Sequence, residues 1–189
     1  MVVEHQGRLE LITGPARSGK SAWAEQRAVE SRLPVHYLAT GPDLPDEETW
    51  QERVRQHRLR RPSSWHCLEV GLGLAACLAS FEPDQTVLVD SLGSWVCHSL
   101  DSDDSTWEQL CDALLKALIG CRSRVLLVSE QVGWGVVPTT AVGGLFRDRL
   151  GGLEQRISAH CSHLWLVVAG RALDLLPGSH PVQPLLRSR

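Results

Sequence analysis

The sequence lacks the features that mark several large classes of protein. Its formal net charge is −3, with 19 Lys and Arg residues against 22 Asp and Glu residues, so the basic excess of nucleic-acid-binding proteins is absent. No apolar run reaches the roughly 18–20 residues that a membrane-spanning helix needs. The first ten residues, MVVEHQGRLE, contain no apolar core of the kind that secretory signals carry. We therefore expect a cytoplasmic protein with no nucleic-acid partner and no membrane span.

Cysteine occurs six times but never as a CxxC pair, the spacing common in zinc and thiol-redox sites. Most of the cysteines lie in apolar stretches, where a thiol behaves as a small hydrophobic group. This distribution predicts buried, reduced thiols rather than zinc ligands or disulfides. The six positions are Cys67, Cys77, Cys97, Cys111, Cys121 and Cys161.

Short apolar runs alternate with helix-compatible segments along the chain. This alternation is typical of an α/β fold with a mainly parallel sheet and crossover helices on both faces. The predicted strands are Arg8–Thr13, Val35–Ala39, His66–Val70, Thr86–Asp90, Arg124–Ser129 and Leu164–Ala169. The predicted helices are Ser18–Ser31, Asp46–Leu59, Gly71–Ser80, Ser105–Gly120 and Gly144–His160. The length of 189 residues suits one domain, residues 1–170, followed by an irregular tail, residues 171–189.

The most informative segment is GPARSGKS, residues 14–21. It follows an apolar run and opens a helix-compatible segment, which is the strand–loop–helix context of a phosphate-binding loop. Main-chain N–H groups of such a loop turn toward a polyphosphate, and the helix N-terminus adds partial positive charge. Lys20 is expected to act catalytically on the β- and γ-phosphates, and Ser21 to bind Mg²⁺. The predicted nucleotide-binding residues in this loop are Gly14, Pro15, Ala16, Arg17, Ser18, Gly19, Lys20 and Ser21.

A second acidic motif is the apolar strand TVLVD, which ends at Asp90. In P-loop proteins a carboxylate at such a strand end holds Mg²⁺ beside the Ser or Thr of the loop. A strand ending in Asp is also common as the N-cap of a following helix. The presence of the phosphate loop favours the magnesium role for Asp90.

A histidine lies among arginines in the segment between residues 46 and 62. Acidic residues open this segment, arginines crowd its end, and Pro62 follows, as in a helix whose charges complement its dipole. One interpretation is a solvated basic helix end with a half-buried His57; a nucleic-acid patch is disfavoured by the net charge. The other interpretation is chemical. Positive neighbours keep His57 neutral and nucleophilic, while the arginines neutralise a triphosphate and the departing pyrophosphate.

Seven segments recur in a recognisable order between about Leu11 and Gly170. They are GPARSGKS with the following Glu25, YLATG (37–41), RVRQHRLRRPSSW (53–65), VLVDSLGSWV (87–96), VGWGVVP (132–138), FRDRLG (146–151) and LVVAG (166–170). No single segment is specific, but the set in this order and spacing is. With these segments the chain resembles the bifunctional adenosylcobinamide kinase/adenosylcobinamide-phosphate guanylyltransferase family of cobalamin biosynthesis.

The resemblance implies a P-loop α/β fold and two reactions. A nucleoside triphosphate, ATP or GTP, phosphorylates the aminopropanol hydroxyl of the corrinoid substrate adenosylcobinamide. GTP then guanylylates a histidine, here His57, and the GMP passes to the new phosphate to give adenosylcobinamide-GDP. The family also implies Mg²⁺ and a homo-oligomer, commonly a trimer. Besides the phosphate loop, the implied nucleotide contacts are Ala39, Thr40, Gly41, Arg58, Leu59, Arg60, Arg61, Glu69 and Asp90.

The chain departs from the family pattern at a few positions. Glu130-Gln131 stands where members often have Asn-Glu, Gly93 where Thr is usual, and His98 where Asn is expected. These differences bear on the kinase half-reaction more than on guanylyl transfer, because the phosphate loop and His57 are intact. The sequence identifies no general base for the kinase step.

Trp134 lies between two glycines in a predicted loop after a strand. One interpretation is that its ring anchors the loop by burial in the core. The other is that the ring is exposed and lies against a large planar substrate, such as a corrin.

Overall fold

The computed structural model describes residues 9–41, 47, 48, 52, 55, 59 and 61–182. Within them, seven strands form one sheet in the order β3-β2-β4-β5-β1-β6-β7. The strands are β1 (Leu9–Gly14), β2 (Val35–Ala39), β3 (His66–Glu69), β4 (Thr86–Asp90), β5 (Arg124–Glu130), β6 (His163–Val168) and β7 (Arg171–Asp174). The first six strands are parallel to one another, and β7 runs antiparallel to β6.

The described residues also contain five continuous α-helices. They are α1 (Lys20–Glu30), α2 (Leu74–Leu78) after a 3-10 turn at Gly71–Gly73, α3 (Leu92–Cys97), α4 (Asp104–Gly120) and α5 (Ala141–Ser158). Glu48, Glu52, Arg55 and Leu59 are helical too, within the predicted helix Asp46–Leu59, of which most other positions lie outside the described residues. None of the described helices has the length and apolar composition needed to span a bilayer.

Crossover helices cover both faces of the sheet. On one face, Ala24 and Ala28 of α1 pack against strand residues such as Leu126. On the other face, α2 to α5 bury a larger cluster that includes Trp95 and Leu114. The central strands β1, β4 and β5 are buried along nearly their whole length, as parallel strands are when helices cover both sides. The predicted α/β fold with a mainly parallel sheet is confirmed.

The prediction of an irregular tail from residue 171 is wrong at its start. Residues 171–174 form β7, which pairs with β6 so that Val168 lies opposite Arg171. The two-residue turn between the strands, Ala169-Gly170, has φ angles of 51° and 73°. Both values suit the mirror-image turns that connect antiparallel strands. An alanine at positive φ is uncommon, so the sequence carried no clear hairpin signal at this point.

Helix α3 was absent from the predicted elements. It has only six residues, and Leu92, Gly93, Trp95 and Val96 are all buried. A short helix that is buried on most sides has no alternation of polar and apolar faces, which is the pattern that reveals helices in a sequence. The helix matters for the site because it begins directly after β4.

The prediction of buried thiols is correct for some cysteines and wrong for others. All six cysteines are free. Cys111 and Cys121 are buried, whereas Cys67 and Cys97 are exposed. Cys67 lies on β3, the terminal strand of the sheet, and the four residues of this strand are exposed.

Candidate active site

The predicted phosphate loop joins the central strand β1 to α1. A Cβ atom on Gly14, the last residue of β1, would lie 2.2 Å from the carbonyl oxygen of Val167 in the neighbouring β6. Gly19 precedes the helix with φ of +100°, a conformation that residues with side chains rarely adopt. Both glycines are therefore required by the backbone, and the loop between them is held against the carboxyl edge of the sheet.

Lys20 lies folded over this loop. Its side chain is buried, and Nζ donates a hydrogen bond to the carbonyl oxygen of Pro15 at 3.4 Å. Ser18 is also buried, and its Oγ has no hydrogen-bond partner among the described residues. The N–H groups of the first helical turn have no acceptors within the helix. An ammonium, an unpartnered hydroxyl and a helix N-terminus in one loop suit a polyphosphate.

The remaining loop residues lie at or near the surface. Ala16 and Arg17 are exposed, and Arg17 has a φ of 58°. Pro15 and Ser21 are partly buried. The loop is braced from behind by the β6–β7 turn, because the N–H of Gly170 donates to the carbonyl oxygen of Ser18 at 3.0 Å.

Asp90 ends β4 at the same edge of the sheet. The hydroxyl of Tyr37 donates a hydrogen bond to Oδ2 of Asp90 at 2.9 Å. Burial, together with the nearby Asp90 carboxylate, raises the pKa of Tyr37, so its hydroxyl stays protonated and serves as a donor. The N-cap of α3 is Ser91, whose Oγ accepts from the N–H of Ser94 at 3.4 Å. The interpretation of Asp90 as a helix cap is therefore wrong.

The guanidinium of Arg61 stacks on the ring of Tyr37, the residue that donates to Asp90. Its Cζ lies 3.4 Å from the centroid of the Tyr37 ring. One guanidinium nitrogen contacts Sγ of Cys67 at 3.8 Å, while the buried Nε has no hydrogen-bond partner in the described part of the chain. A guanidinium with an unused buried donor is well suited to an anion. Arg61 thus connects the end of the histidine–arginine segment to the edge that carries Asp90.

Glu130 is a carboxylate that sequence reasoning did not assign to the site. It ends β5, and its register partner in β1 is Gly14, the first residue of the phosphate loop. Oε2 accepts a hydrogen bond from the N–H of Gly93 at 3.0 Å. Burial raises the pKa of Glu130, a shift opposed by a hydrogen bond with Ser91 and by the charge of Lys20. The signal that could have revealed it is its position at the end of a buried strand.

Three other predicted nucleotide contacts lie at the ends of β2 and β3. Ala39 and Glu69 are register partners at these ends, and Glu69 is exposed. Thr40 is fully buried: its Oγ1 donates to the carbonyl oxygen of Ser91 at 2.6 Å and accepts from the N–H of Ser91 at 2.9 Å. The single hydroxyl proton of Thr40 is therefore already used, and the side chain braces the turn after Asp90.

Gly41 follows Thr40, and Leu59 is a helical residue with an exposed side chain. Three predicted site residues, His57, Arg58 and Arg60, lie outside the described residues, so their assignments remain predictions.

The described residues fit a magnesium ion bound together with a nucleotide. Mg²⁺ prefers oxygen donors and is commonly held by one or two protein groups plus phosphates and water. Ser21 supplies a hydroxyl and Asp90 a carboxylate, both of which are oxygen donors of this kind. Among the residues that the structure describes, no cluster of three or more His, Cys, Asp and Glu side chains could hold a metal ion by itself. This donor set suits a metal that arrives with a triphosphate.

A groove of about 330 Å³ lies between α5 and the residues that follow β5, and Thr13, the residue before the phosphate loop, is part of its lining. Its polar lining includes Gln131, Arg147 and Glu154. The loop beyond the groove exposes apolar side chains: Trp134 is 62% exposed and Val136 is 96% exposed. The interpretation that Trp134 anchors the loop by core burial is therefore wrong.

Comparisons with known proteins place the sequence in a family. Residues 10–175 match the family model described as cobinamide kinase / cobinamide phosphate guanyltransferase. The chain is 40% identical over 171 residues to the bifunctional adenosylcobalamin biosynthesis protein CobP of Pseudomonas aeruginosa. The aligned region covers 88% of this chain and 96% of that protein. The chain is 35% identical over 175 residues to the bifunctional adenosylcobalamin biosynthesis protein CobU of Escherichia coli, covering 85% of this chain and 95% of that one.

Solved structures that share the fold include the following one. It is a protein from Pyrococcus horikoshii OT3, with a TM-score of 0.53 over 89% of this chain and 85% of that chain at 7% identity. This likeness concerns the fold alone, whereas the family model and the two relatives span most of the sequence. The chain belongs to the cobinamide kinase / cobinamide phosphate guanyltransferase family.

Proposed function

We propose that this chain phosphorylates adenosylcobinamide with a nucleoside triphosphate and then transfers GMP from GTP to the new phosphate. The product of the two reactions is adenosylcobinamide-GDP, and the second reaction passes through a guanylylated His57. The observation that carries the proposal is that the phosphate loop follows β1 and Asp90 ends β4 at the carboxyl edge of one parallel sheet, with Arg61 stacked on the tyrosine that binds Asp90. Tyr37 joins two of these parts, since it donates to Asp90 and lies under Arg61.

In the kinase step, the loop binds the triphosphate through main-chain N–H groups, and Lys20 contacts the β- and γ-phosphates. Mg²⁺, when bound through Ser21 and Asp90, supplies neutralisation of phosphate charge. Lys20 now rests on the carbonyl oxygen of Pro15 at 3.4 Å, a long hydrogen bond that a phosphate oxygen would replace with a stronger, charged one.

In the guanylyl step, the imidazole of His57 attacks the α-phosphorus of GTP. A nitrogen–phosphorus bond forms, the bond from the α-phosphorus to the bridging oxygen breaks, and pyrophosphate leaves with the electron pair. Arg61 supports this step, because its stacked position and unused Nε–H favour an anion at the sheet edge. Arg58 and Arg60 are proposed to act on the same charge. The GMP then passes from His57 to the phosphate of the corrinoid.

The corrinoid substrate is proposed to lie against the exposed loop that carries Trp134 and Val136. An exposed indole offers a flat apolar surface to a large planar ring. A homo-oligomer and a cytoplasmic location are part of the same proposal, and they stay predictions.

Intact-mass measurement after exposure to GTP and Mg²⁺ tests the proposal. We expect the protein to gain the mass of one GMP, in an adduct that is labile in acid and stable in alkali. His57→Asn should abolish the adduct, while His160→Asn, which alters an exposed histidine after α5, should leave it unchanged. A protein that phosphorylates a small molecule but never gains GMP would be a kinase without guanylyl transfer.

A further inference from the structure

Glu130 stands at the centre of the candidate active site without a role in the steps above. It ends β5 opposite Gly14, which places it beside the phosphate loop. The charge of Lys20 reaches it from the loop, and Ser91, the residue after Asp90, is its hydrogen-bond partner. The two strands that carry the loop and the metal-binding carboxylate, β1 and β4, both pair with β5. Glu130 therefore lies between the two halves of the phosphate site.

Gly93 makes the room that Glu130 occupies. A Cβ atom on Gly93 would lie 2.1 Å from Oε2 of Glu130 and 3.0 Å from its carboxyl carbon. The N–H of the same glycine donates to Oε2 at 3.0 Å. The first turn of α3 thus accepts this carboxylate in one position, and any larger residue at 93 would displace it.

Two other carboxylates of this region, Asp90 and Glu154, accept hydrogen bonds from hydroxyl groups of neighbouring residues. Oδ2 of Asp90 accepts from the hydroxyl of Tyr37 at 2.9 Å, and Asp90 is the carboxylate proposed above to hold Mg²⁺. Oε1 of Glu154 accepts from Oγ1 of Thr13 at 2.9 Å, on the side of the sheet covered by α5. Glu154 also lines the groove between α5 and the residues after β5, together with Gln131, the residue after Glu130.

We infer that Glu130 is the catalytic carboxylate that accepts the proton of the substrate hydroxyl in the kinase step, and that Gly93 positions it. The inference rests on the proposed function. The hydroxyl oxygen forms a bond to the γ-phosphorus, and its proton moves to a carboxylate oxygen of Glu130. The bond between the γ-phosphorus and the bridging oxygen breaks, and the nucleoside diphosphate leaves with the electron pair beside Lys20. The proton later returns to water.

The two half-reactions allow a direct test with Glu130→Gln. This change keeps the size of the side chain and its acceptor for the Gly93 N–H, but removes the proton-accepting group. We expect kcat for phosphorylation of adenosylcobinamide to fall by roughly 10²-fold or more, with KM for the nucleotide little changed. Guanylylation of the protein by GTP, and GMP transfer to adenosylcobinamide phosphate supplied ready-made, should persist. The matched control is Glu108→Gln, which alters an exposed carboxylate of α4 that pairs with Arg156 and should retain kinase activity. Glu154→Gln tests the neighbouring carboxylate, and it too should phosphorylate adenosylcobinamide.

Gly93→Ala provides a second variant that leaves the carboxylate in the chain. Its Cβ would displace Oε2, so kinase kcat should fall while guanylylation persists. In the double variant Gly93→Ala/Glu130→Gln the loss should be no greater than in Glu130→Gln alone, because both changes remove the same group from the same place.

The kinase activities of the wild type and the variants distinguish the role of Glu130 from the proposed function. If the wild-type protein phosphorylates adenosylcobinamide and Glu130→Gln does so equally fast, the role of Glu130 is overturned and the proposed function stands. Loss of kinase activity in Glu154→Gln with retention in Glu130→Gln would assign the proton to the other carboxylate. If the wild-type protein phosphorylates no cobinamide, the proposed function and the role of Glu130 fail together.

Discussion

The hydroxyl of Tyr37 donates a 2.9 Å hydrogen bond to Oδ2 of Asp90 across neighbouring strands β2 and β4. Tyr37 is the only tyrosine in the chain, and it is 2% exposed. The phenol of Tyr37 contacts two charged groups. Its hydroxyl binds the carboxylate of Asp90, and the guanidinium of Arg61 stacks on its ring. Asp90 is therefore oriented by a rigid buried donor rather than by solvent.

Tyr37→Phe tests this orientation. The change removes the donor without creating a cavity, and we expect a loss of unfolding free energy of about 1.5 kcal/mol, at the low end for bonds to charged groups because Asp90 is partly exposed. A less fixed Asp90 should also raise the Mg²⁺ concentration needed for half-maximal kinase activity. Urea unfolding and a Mg²⁺ titration measure the two effects. An unchanged Mg²⁺ requirement would show that the bond does not serve the metal site.

Gly14→Ala tests the close approach of the loop to β6. The new Cβ would lie 2.2 Å from a backbone oxygen that cannot move without shifting the strand. We expect nucleotide binding to be lost, together with roughly 2–3 kcal/mol or more of stability, measured by nucleotide titration and thermal unfolding.

The matched control is Gly144→Ala in α5, where a Cβ meets nothing within 4 Å. This variant should bind nucleotide normally and be as stable as the wild type or more stable, by up to about 1 kcal/mol, because alanine is the better helix former. Equal behaviour of the two variants would contradict the steric role of Gly14.

Glu10→Gln tests the buried ion cluster near the start of β1, at the other end of this strand from the phosphate loop. Its carboxylate accepts from Arg27 at 3.1 Å, from Trp165 Nε1 at 2.8 Å and from Arg124. Glu10→Gln removes the buried carboxylate that Arg27 and Arg124 share and leaves Arg27 only its exposed partner Glu30, so we expect a loss of roughly 3 kcal/mol in urea unfolding. Glu30→Gln, which alters the exposed partner of Arg27, is the control and should change stability little.

The same cluster gives stability a defined pH dependence. Burial alone would raise the pKa of Glu10, but the hydrogen bonds from Arg27, Trp165 and Arg124 lower it below its ordinary value of 4.5. A carboxyl with a lowered pKa in the folded state stabilises the fold fully above its unfolded pKa. That contribution is lost as the pH falls from about 4.5 through the folded value. Glu10→Gln should lack this part of the acid sensitivity.

Trp134→Ala separates substrate contact from loop anchoring. The ring is 62% exposed, so its removal should change unfolding free energy by less than about 0.5 kcal/mol. If the ring lies against the corrinoid, KM for adenosylcobinamide should rise by roughly tenfold while KM for the nucleotide stays constant. An unchanged KM for adenosylcobinamide would show that the ring does not contact the corrinoid.

Much of the fold and part of the site could be predicted from the sequence because their signals are local. The phosphate loop is contiguous from Gly14 to Ser21, and Asp90 follows a buried strand without a break. β7 and α3 were missed for local reasons too: one starts after an unusual Ala-Gly turn, and the other is too short and too buried to show periodicity.

The role inferred for Glu130 depends on contacts that no local pattern carries. It lies beside the loop because β5 pairs with β1, and it fits because Gly93, in a helix of another segment, has no side chain. Both residues are departures from the family pattern, so the resemblance alone pointed away from them. The hydrogen bond between Tyr37 and Asp90 likewise depends on the pairing of β2 with β4, which no local pattern shows.

The most direct test of the account follows the α-phosphorus of GTP. The protein is incubated with GTP labelled at that position, freed of nucleotide, and then given unlabelled adenosylcobinamide phosphate. The account predicts that the label is first held by the protein, then moves into adenosylcobinamide-GDP, and that His57→Asn neither holds nor transfers it. Labelled product formed by His57→Asn at the wild-type rate, with no label ever bound to protein, would contradict the account.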